Sequence, residues 1–137
     1  MVKMMKIDEL IENFSLLEDW EDRYGYLIEL GKKLPELALD KRIEQTLVQG
    51  CMSQVWLIVN VDEKDCLDIQ ADSDAIIVRG LIAILLIIYN GLPAKDVVNI
   101  DIDDIFTQLD LHQHISPNRR NGFYAMVERI QLLKKTG

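Results

Sequence analysis

Cysteine and histidine are scarce in this chain, which has only two residues of each type among 137. Two cysteines, Cys51 and Cys66, are too few to staple a small secreted domain, and the first residues lack the apolar core of a signal peptide. A closed structural metal site would need all four of these side chains, and they do not stand at zinc spacing. The sequence therefore predicts a cytoplasmic protein without a resident metal.

Long apolar runs are also missing. The longest, from Gly80 to Tyr89, is about half of the roughly 20 residues that cross a bilayer. It favours a buried core helix, with an interfacial segment as the alternative. Basic residues are in deficit too, since 15 of them face 23 acidic residues, and the net charge of -8 opposes binding to a phosphate backbone. We therefore expect neither a membrane nor a nucleic acid as a partner.

Apolar side chains, in contrast, make up 49% of the chain, with only 3 prolines and 7 glycines. That composition is typical of a packed globular protein, and we expect residues 1–137 to form a single domain. Apolar residues at helical spacing predict helices over residues 7–14 and from Trp20 to a stop at Pro35. No helical period continues through residues 36–45, which are predicted to be a connector.

The pattern changes to strand alternation in the middle of the chain. Alternating apolar residues predict strands over 55–61 and 67–71, joined by a polar reversal at 62–65, and Leu47-Val48 is a further short β-prone run. Asp72 continues the wet face of the second strand. The predicted fold class is therefore α+β, with a small antiparallel sheet of about three strands packed against helices.

Helices are predicted again after the strands. Residues 72–74, Asp-Ser-Asp, supply N-cap chemistry before a central helix over 75–89, which is apolar on all sides and therefore buried. An acid/base pair of Asp72 and Asp74 is the alternative to this capping role, which their place before a helix favours. Shorter helices are predicted over 94–98 and 103–109, and Ser116-Pro117 opens the last helix.

No strong catalytic signature is present, since a Gly-rich phosphate loop and a GxSxG nucleophile elbow are both absent from the sequence. The residue of interest is Cys51, which lies between two strand signals. Its neighbour Gly50 has the backbone freedom to hold a thiol at a loop tip. From the residues alone, a nucleophile and an ordinary loop cysteine both remain open. Cys66 begins a strand, where a small buried hydrophobe is expected.

Arg119 and Arg120 stand in the first turn of the last predicted helix, where the helix dipole disfavours a cation. Two arginines in that place indicate a task, such as pairing with acidic residues, steering a partner or lowering the pKa of a thiol. His112 and His114 lie near a helix boundary, and a surface or capping role is expected for them rather than metal binding.

Four runs of the sequence, taken together and in order, resemble the SufE family of sulfur acceptor proteins. They are WEDRYGYLIELGKKLPEL at 20–37, GCMSQVWL at 50–57, ADSDAIIVRGLIAILL at 71–86 and SPNRRNG at 116–122. Met52-Ser53-Gln54 and residues 118–121 favour the SufE type over the related CsdE type. The resemblance implies an α+β fold with a likeness to IscU-type scaffold proteins, which agrees with the pattern of helices and strands.

In that family, the cysteine of the GCxSQVW run accepts sulfane sulfur from the persulfide of a cysteine desulfurase and passes it on for iron–sulfur cluster assembly. By match that cysteine is Cys51, with Gly50, Ser53, Gln54 and Arg119 as supporting residues. The resemblance implies a persulfide carrier with sulfurtransferase-like chemistry rather than a stand-alone enzyme. It also implies no cofactor on this chain, because PLP belongs to the partner, a desulfurase of the SufS or a related type. An iron–sulfur scaffold is the implied recipient, and a homodimer is left open.

Two other functions remain as alternatives. One is a non-catalytic regulatory partner of a desulfurase, and the other is a scaffold that holds a cluster. Cluster holding is the weaker of the two, because Cys51, Cys66 and distant histidines make a poor set of three or four ligands.

Overall fold

The computed structural model describes residues 6–48, 54–111 and 115–136. Within these ranges the helices are α1 (Ile7–Leu16), α2 (Trp20–Lys33), α3 (Ile76–Tyr89), α4 (Ile102–Gln108) and α5 (Pro117–Thr136), and the strands are β1 (Val55–Val61) and β2 (Leu67–Ser73). Short 3₁₀ helices lie at Leu39–Lys41, Glu44–Thr46 and Ala94–Asn99. The predicted helices and the two predicted strands are confirmed, except that the short helix after residue 93 is of the 3₁₀ type.

Strands β1 and β2 form an antiparallel hairpin in which Val55 lies opposite Ser73. The hairpin turns at Asp62, whose Oδ1 accepts hydrogen bonds from the backbone N–H groups of Lys64 (2.8 Å) and Cys66 (3.0 Å). Polar turn residues therefore hold the reversal where the sequence predicts it. Cys66, expected to be buried, is only half-buried because it lies at this turn end of the hairpin.

The predicted small antiparallel sheet is confirmed, but its described part has two strands rather than three. Leu47 contributes a single bridge to Trp56 of β1 instead of a third strand. The reason is local: the 3₁₀ turn Glu44–Thr46 ends directly before Leu47, so the preceding residues are coiled and cannot pair with β1.

Helix α3 is the centre of the hydrophobic core, as its sequence predicts. Ten of its fourteen residues are buried, and Ile82 and Ile84 have no exposed surface. The core around it also takes in Phe14 of α1, Leu57 of β1 and Phe123 of α5. In the part of the chain that the structure describes, no helix combines the length and the apolar character needed to cross a bilayer.

Two glycines bring α2 and α3 into backbone contact. A Cβ on Gly31 would lie 2.9 Å from the backbone nitrogen of Gly80, and a Cβ on Gly80 would lie 2.4 Å from the carbonyl oxygen of Leu27. Neither position has room for a methyl group, because the opposing atoms belong to a helix backbone. The close approach of the two helices therefore depends on glycine at these positions.

Gly80→Ala is expected to lower the free energy of unfolding by about 1–3 kcal/mol, because the added methyl group forces α2 and α3 apart. Gly25→Ala in α2 is the matched control. A Cβ on Gly25 has no atom within 4 Å, so the better helix propensity of alanine should raise stability by about 0.5–1 kcal/mol. Urea unfolding of both variants measures these changes. If the free energy of unfolding shifted in the same direction in both, the close contact of the two helices at Gly80 would be contradicted.

The fully buried side chain of Tyr89 carries a hydroxyl that has no hydrogen-bond partner among the described residues. Burial raises the pKa of Tyr89 from 10.0 to about 12. The unfolded chain ionises this group near pH 10. The free energy of unfolding is therefore unaffected by this ionisation below pH 10 and falls as the pH rises to about 12, because only the unfolded chain ionises readily in that range.

Tyr89→Phe is expected to raise the free energy of unfolding at pH 7 by about 1 kcal/mol, because it removes a buried hydroxyl that lacks a partner. The variant should also lose less stability than the parent between pH 10 and about 12. Denaturant titrations at neutral and alkaline pH test both expectations. A clear loss of stability at pH 7 would show that the hydroxyl makes a favourable interaction.

Candidate functional site

The predicted site centres on residues 49–53, called here the Cys51 segment. Gly50, Cys51 and Ser53 lie outside the described residues, whereas Gln54 and Arg119 are described. The described chain reaches Val48 on one side of the segment and resumes at Gln54 on the other. The contacts of these two ends define the candidate site.

The chain before the Cys51 segment is attached to β1 and to α5. The N–H of Val48 donates to the carbonyl of Val55 at 2.8 Å, and Leu47 forms its bridge with Trp56. From α5, Nη1 of Arg129 donates to the carbonyl of Leu47 at 3.0 Å. Arg129 was not predicted from the sequence, because its acceptor is a backbone atom 82 residues away and no side-chain pattern marks such a pair.

The chain after the Cys51 segment is attached to the end of β2 through Gln54. The N–H of Gln54 donates to Oδ1 of Asp74 at 3.1 Å. The carbonyl of Gln54 accepts from the N–H of Asp74 at 3.3 Å and from Oγ of Ser73 at 2.7 Å. All three bonds involve backbone atoms of Gln54, and its side chain is exposed. The Ser73-Asp74 pair thus fixes this end of the segment.

The predicted capping of α3 by aspartates is wrong. The N-cap residue of α3 is Ala75, which has no side-chain cap, and only the hydroxyl of Ser73 accepts a bond from the N–H of Ala75, at 3.2 Å. Asp74 bonds to Gln54 instead. Asp72 does not face water either: its neighbours on the strand, Asp68 and Gln70, are exposed, but its side chain is completely buried.

Buried Asp72 is held by two guanidinium groups and two amides. Its Oδ2 accepts from Nη2 of Arg42 at 2.8 Å and from the N–H of Leu37 at 3.0 Å. Its Oδ1 accepts from Nη1 of Arg79 and from the N–H of Ser73, the latter at 2.8 Å. A buried carboxylate is tolerated only with such compensation. We call Asp72, Arg42 and Arg79 the Asp72 cluster.

Arg79 extends the Asp72 cluster to the end of α2. Its Nε donates to the carbonyl of Gly31 at 3.2 Å, and its Nη2 donates to the carbonyl of Leu34 at 2.7 Å. A cation is favourable at a helix C-terminus, where the carbonyl groups lack partners and carry partial negative charge. The cluster therefore joins β2, α3 and the end of α2 beside the residues that flank the Cys51 segment.

Arg119 lies in the first turn of α5, as predicted. Its N–H donates to Oγ of Ser116 at 3.3 Å, which confirms Ser116 as the cap of this helix. The side chain of Arg119 is exposed, and it forms no ion pair with the residues that the structure describes. Among the described contacts, then, Gln54 is joined to Ser73 and Asp74 but not to Arg119.

Side chains that could bind a metal are dispersed over the described ranges. No group of three or more histidine, cysteine, aspartate or glutamate side chains in those ranges is arranged to hold a metal ion. His112 and His114 lie outside them. The geometry of the candidate site thus consists of the two attached ends of the Cys51 segment and the Asp72 cluster beside them.

Comparison with known proteins identifies the family. A family model described as SufE, an Fe-S metabolism associated domain, matches residues 8–134. An uncharacterised SufE-like protein of Rhizobium etli is 47% identical to this chain over 131 residues, covering 93% of this chain and 88% of that protein. A second, from Rhizobium meliloti, is 45% identical over 131 residues, covering 93% of this chain and 94% of that protein.

A solved structure shares the fold. The solution structure of a hypothetical protein from Thermus thermophilus superimposes with a TM-score of 0.76, covering 95% of this chain and 93% of that one at 19% sequence identity. The predicted α+β class is therefore confirmed. The family match spans the Cys51 segment and both of its attached ends. This chain therefore belongs to the SufE family, whose domain is associated with iron–sulfur metabolism.

Proposed function

We propose that this protein accepts sulfane sulfur on Cys51 from the persulfide of a cysteine desulfurase and delivers it for iron–sulfur cluster assembly. The observation that carries the proposal is the SufE family match, which includes Cys51. The attachment of Val48 to β1 and of Gln54 to Ser73-Asp74 supports it. A short segment with both ends fixed is suited to presenting one side chain to a partner.

The proposed step is an exchange between two sulfur atoms. The Cys51 thiolate attacks the outer sulfur of the donor persulfide, a new S–S bond forms at Cys51, and the old S–S bond breaks. The donor cysteine leaves as a thiolate and takes up a proton, which balances the proton that the Cys51 thiol gave up. No net oxidation occurs. Since an ordinary cysteine has a pKa of about 8.5, only a few per cent of it is thiolate at pH 7.

Cys66 is a poor candidate for the same role. It is half-buried, its N–H is bonded to Asp62, and its Sγ faces the carbonyl of Lys64 at 3.8 Å. These contacts belong to the hairpin turn, so exposing this thiol to a bulky donor would disturb the turn. The proposal therefore assigns the chemistry to Cys51 alone.

The proposed partners follow from the reaction. The donor is a PLP-dependent desulfurase, which keeps the PLP, and the recipient is an iron–sulfur scaffold. On this proposal the chain needs no cofactor of its own, since sulfur exchange uses only a thiolate and a persulfide.

Intact-protein mass spectrometry after incubation with a desulfurase and free cysteine tests the proposal. The expected result is a gain of one sulfur atom that a reductant removes, with peptide mapping locating it on Cys51. Stimulation of the desulfurase without any mass gain would overturn the proposal in favour of a regulatory partner. Iron and sulfide retained on the purified chain would instead favour a cluster scaffold.

Arg119→Ala is expected to weaken sulfur acceptance without unfolding the protein, because the side chain is exposed. If the guanidinium favours the thiolate, the pKa of Cys51 should rise in the isolated variant. If it pairs with an acidic group of the desulfurase, the pKa should stay unchanged and desulfurase binding should become weaker in a salt-sensitive way. Thiol alkylation against pH and binding titrations separate the two mechanisms.

Arg119→Lys is the matched variant, and it should rescue acceptance only in part, since an ammonium lacks the planar fork of a guanidinium. An Arg119→Ala variant with the parent's thiol pKa and the parent's affinity for the desulfurase would eliminate any role for Arg119.

A further inference from the structure

We infer that Arg42 is a positioning residue for sulfur acceptance at Cys51 and that it acts through Trp56, an inference that rests on the proposed function. The guanidinium carbon of Arg42 lies 5.2 Å from the centre of the Trp56 ring. The same guanidinium donates to Asp72 at 2.8 Å and to the carbonyl of Leu37 at 3.1 Å. These three contacts thus hold the guanidinium plane of Arg42 over the Trp56 ring.

Trp56 lies close to both ends of the Cys51 segment. It lies two residues after Gln54, the first described residue beyond the segment, and it forms the bridge with Leu47 on the other side. The residue is 8% exposed, and in the sheet it is the register partner of Asp72. A displacement of Trp56 would therefore shift both ends of the segment at once.

Arg42 is not needed to neutralise Asp72. Without it, Asp72 would still accept hydrogen bonds from Arg79, Ser73 and Leu37. The side chain of Arg42 is 25% exposed, so its removal would not leave a closed cavity. Two contacts of Arg42 are made by no other residue of the Asp72 cluster, the bond to the carbonyl of Leu37 and the contact with the Trp56 ring. Only the second involves a residue that is bridged to Leu47 at the end of the Cys51 segment, and it therefore carries the positioning role.

The chain supplies a matched control in Arg23. Its guanidinium carbon lies 5.3 Å from the centre of the Trp20 ring, and its Nε donates to the carbonyl of Leu17 at 2.8 Å. It also pairs with the carboxylate of Asp110 at 3.7 Å, and its side chain is 17% exposed. Arg23 thus makes the same three kinds of contact as Arg42, but with Leu17 and Trp20 at the junction of α1 and α2 and with Asp110 after α4, instead of near the ends of the Cys51 segment.

The test compares Arg42→Met, Arg42→Lys and Arg23→Met in a Cys66→Ser background that leaves Cys51 as the single thiol. The rate of single-turnover persulfide transfer from a saturating desulfurase should fall about tenfold in Arg42→Met. This is the size of effect expected for the loss of one partly buried cation–π contact. Arg42→Lys should recover part of this loss, since lysine keeps the charge but not the planar fork. Arg23→Met should transfer within about twofold of the parent.

Alkylation by iodoacetamide is the readout that distinguishes positioning from a change in the thiol itself. A small reagent needs no alignment with a second protein, so its rate should stay within about twofold of the parent in all variants. Thermal unfolding of each variant shows which are folded at the assay temperature.

Equal transfer rates in Arg42→Met and Arg23→Met would overturn the inference while leaving the proposed function intact. If Arg42→Met does not fold, a parental transfer rate in Arg42→Lys overturns it in the same way. A parent that takes up no sulfur at all would overturn the proposed function and the inference together.

Discussion

Replacing Cys51 by serine is expected to abolish sulfur uptake, so that no sulfur-loaded species remains after incubation with desulfurase and cysteine. Serine nearly matches cysteine in size, but an alcohol is a far weaker nucleophile at neutral pH and cannot hold a persulfide. Desulfurase turnover in the presence of the variant should fall to the rate of the enzyme alone. Intact mass and cysteine-dependent turnover measure the two effects.

Cys66→Ser is the control for the Cys51 substitution. Cys66 is half-buried at the hairpin turn, so the change should cost at most about 1 kcal/mol of stability and leave sulfur uptake intact. The opposite pattern, with uptake lost in Cys66→Ser and kept in Cys51→Ser, would reverse the assignment of the acceptor thiol.

Helices and strands were predictable from the sequence where one face of an element meets the core. Helix α3 is the clearest case, because a run of apolar residues of this length that ends at Asn90-Gly91 is compatible with few structures other than a buried helix. The third strand expected at Leu47-Val48 was not predictable in its actual form. Whether a short β-prone run extends into a strand or makes one bridge depends on tertiary contacts, here the 3₁₀ turn Glu44–Thr46 before it.

The candidate site divides in the same way. The sequence indicates Cys51 by its place between two strand signals, and the family resemblance gives it a role. The contacts that attach its segment could be found only in the structure, because they are hydrogen bonds to backbone atoms from distant parts of the chain. The alternation of the strand predicts that Asp72 faces water. This prediction is wrong, because ion pairing with arginines can outweigh the preference of a single aspartate for solvent. One signal for this was present: Arg79 is the single charged residue between 75 and 89. A cation inside a buried helix requires a counter-charge, and Asp72 stands just before that helix in the sequence.

Asp72→Ala is expected to lower the free energy of unfolding by about 3–5 kcal/mol, because removing one partner of a buried charge pair strands the other. The loss would leave Arg42 and Arg79, whose side chains are only 25% and 17% exposed, without their carboxylate. It would also leave the N–H of Leu37 without its acceptor. Urea unfolding followed by far-UV circular dichroism measures the change.

Asp68→Ala is the matched control, since Asp68 lies on the same strand with its side chain exposed. An exposed aspartate contributes little, so this variant should stay within about 0.5 kcal/mol of the parent. Asp72→Asn sharpens the comparison by keeping the volume while removing the charge, and it should lose nearly as much stability as Asp72→Ala, because the amide turns an N–H group toward donors. Equal small losses at positions 68 and 72 would mean that water, not the carboxylate, satisfies the two arginines.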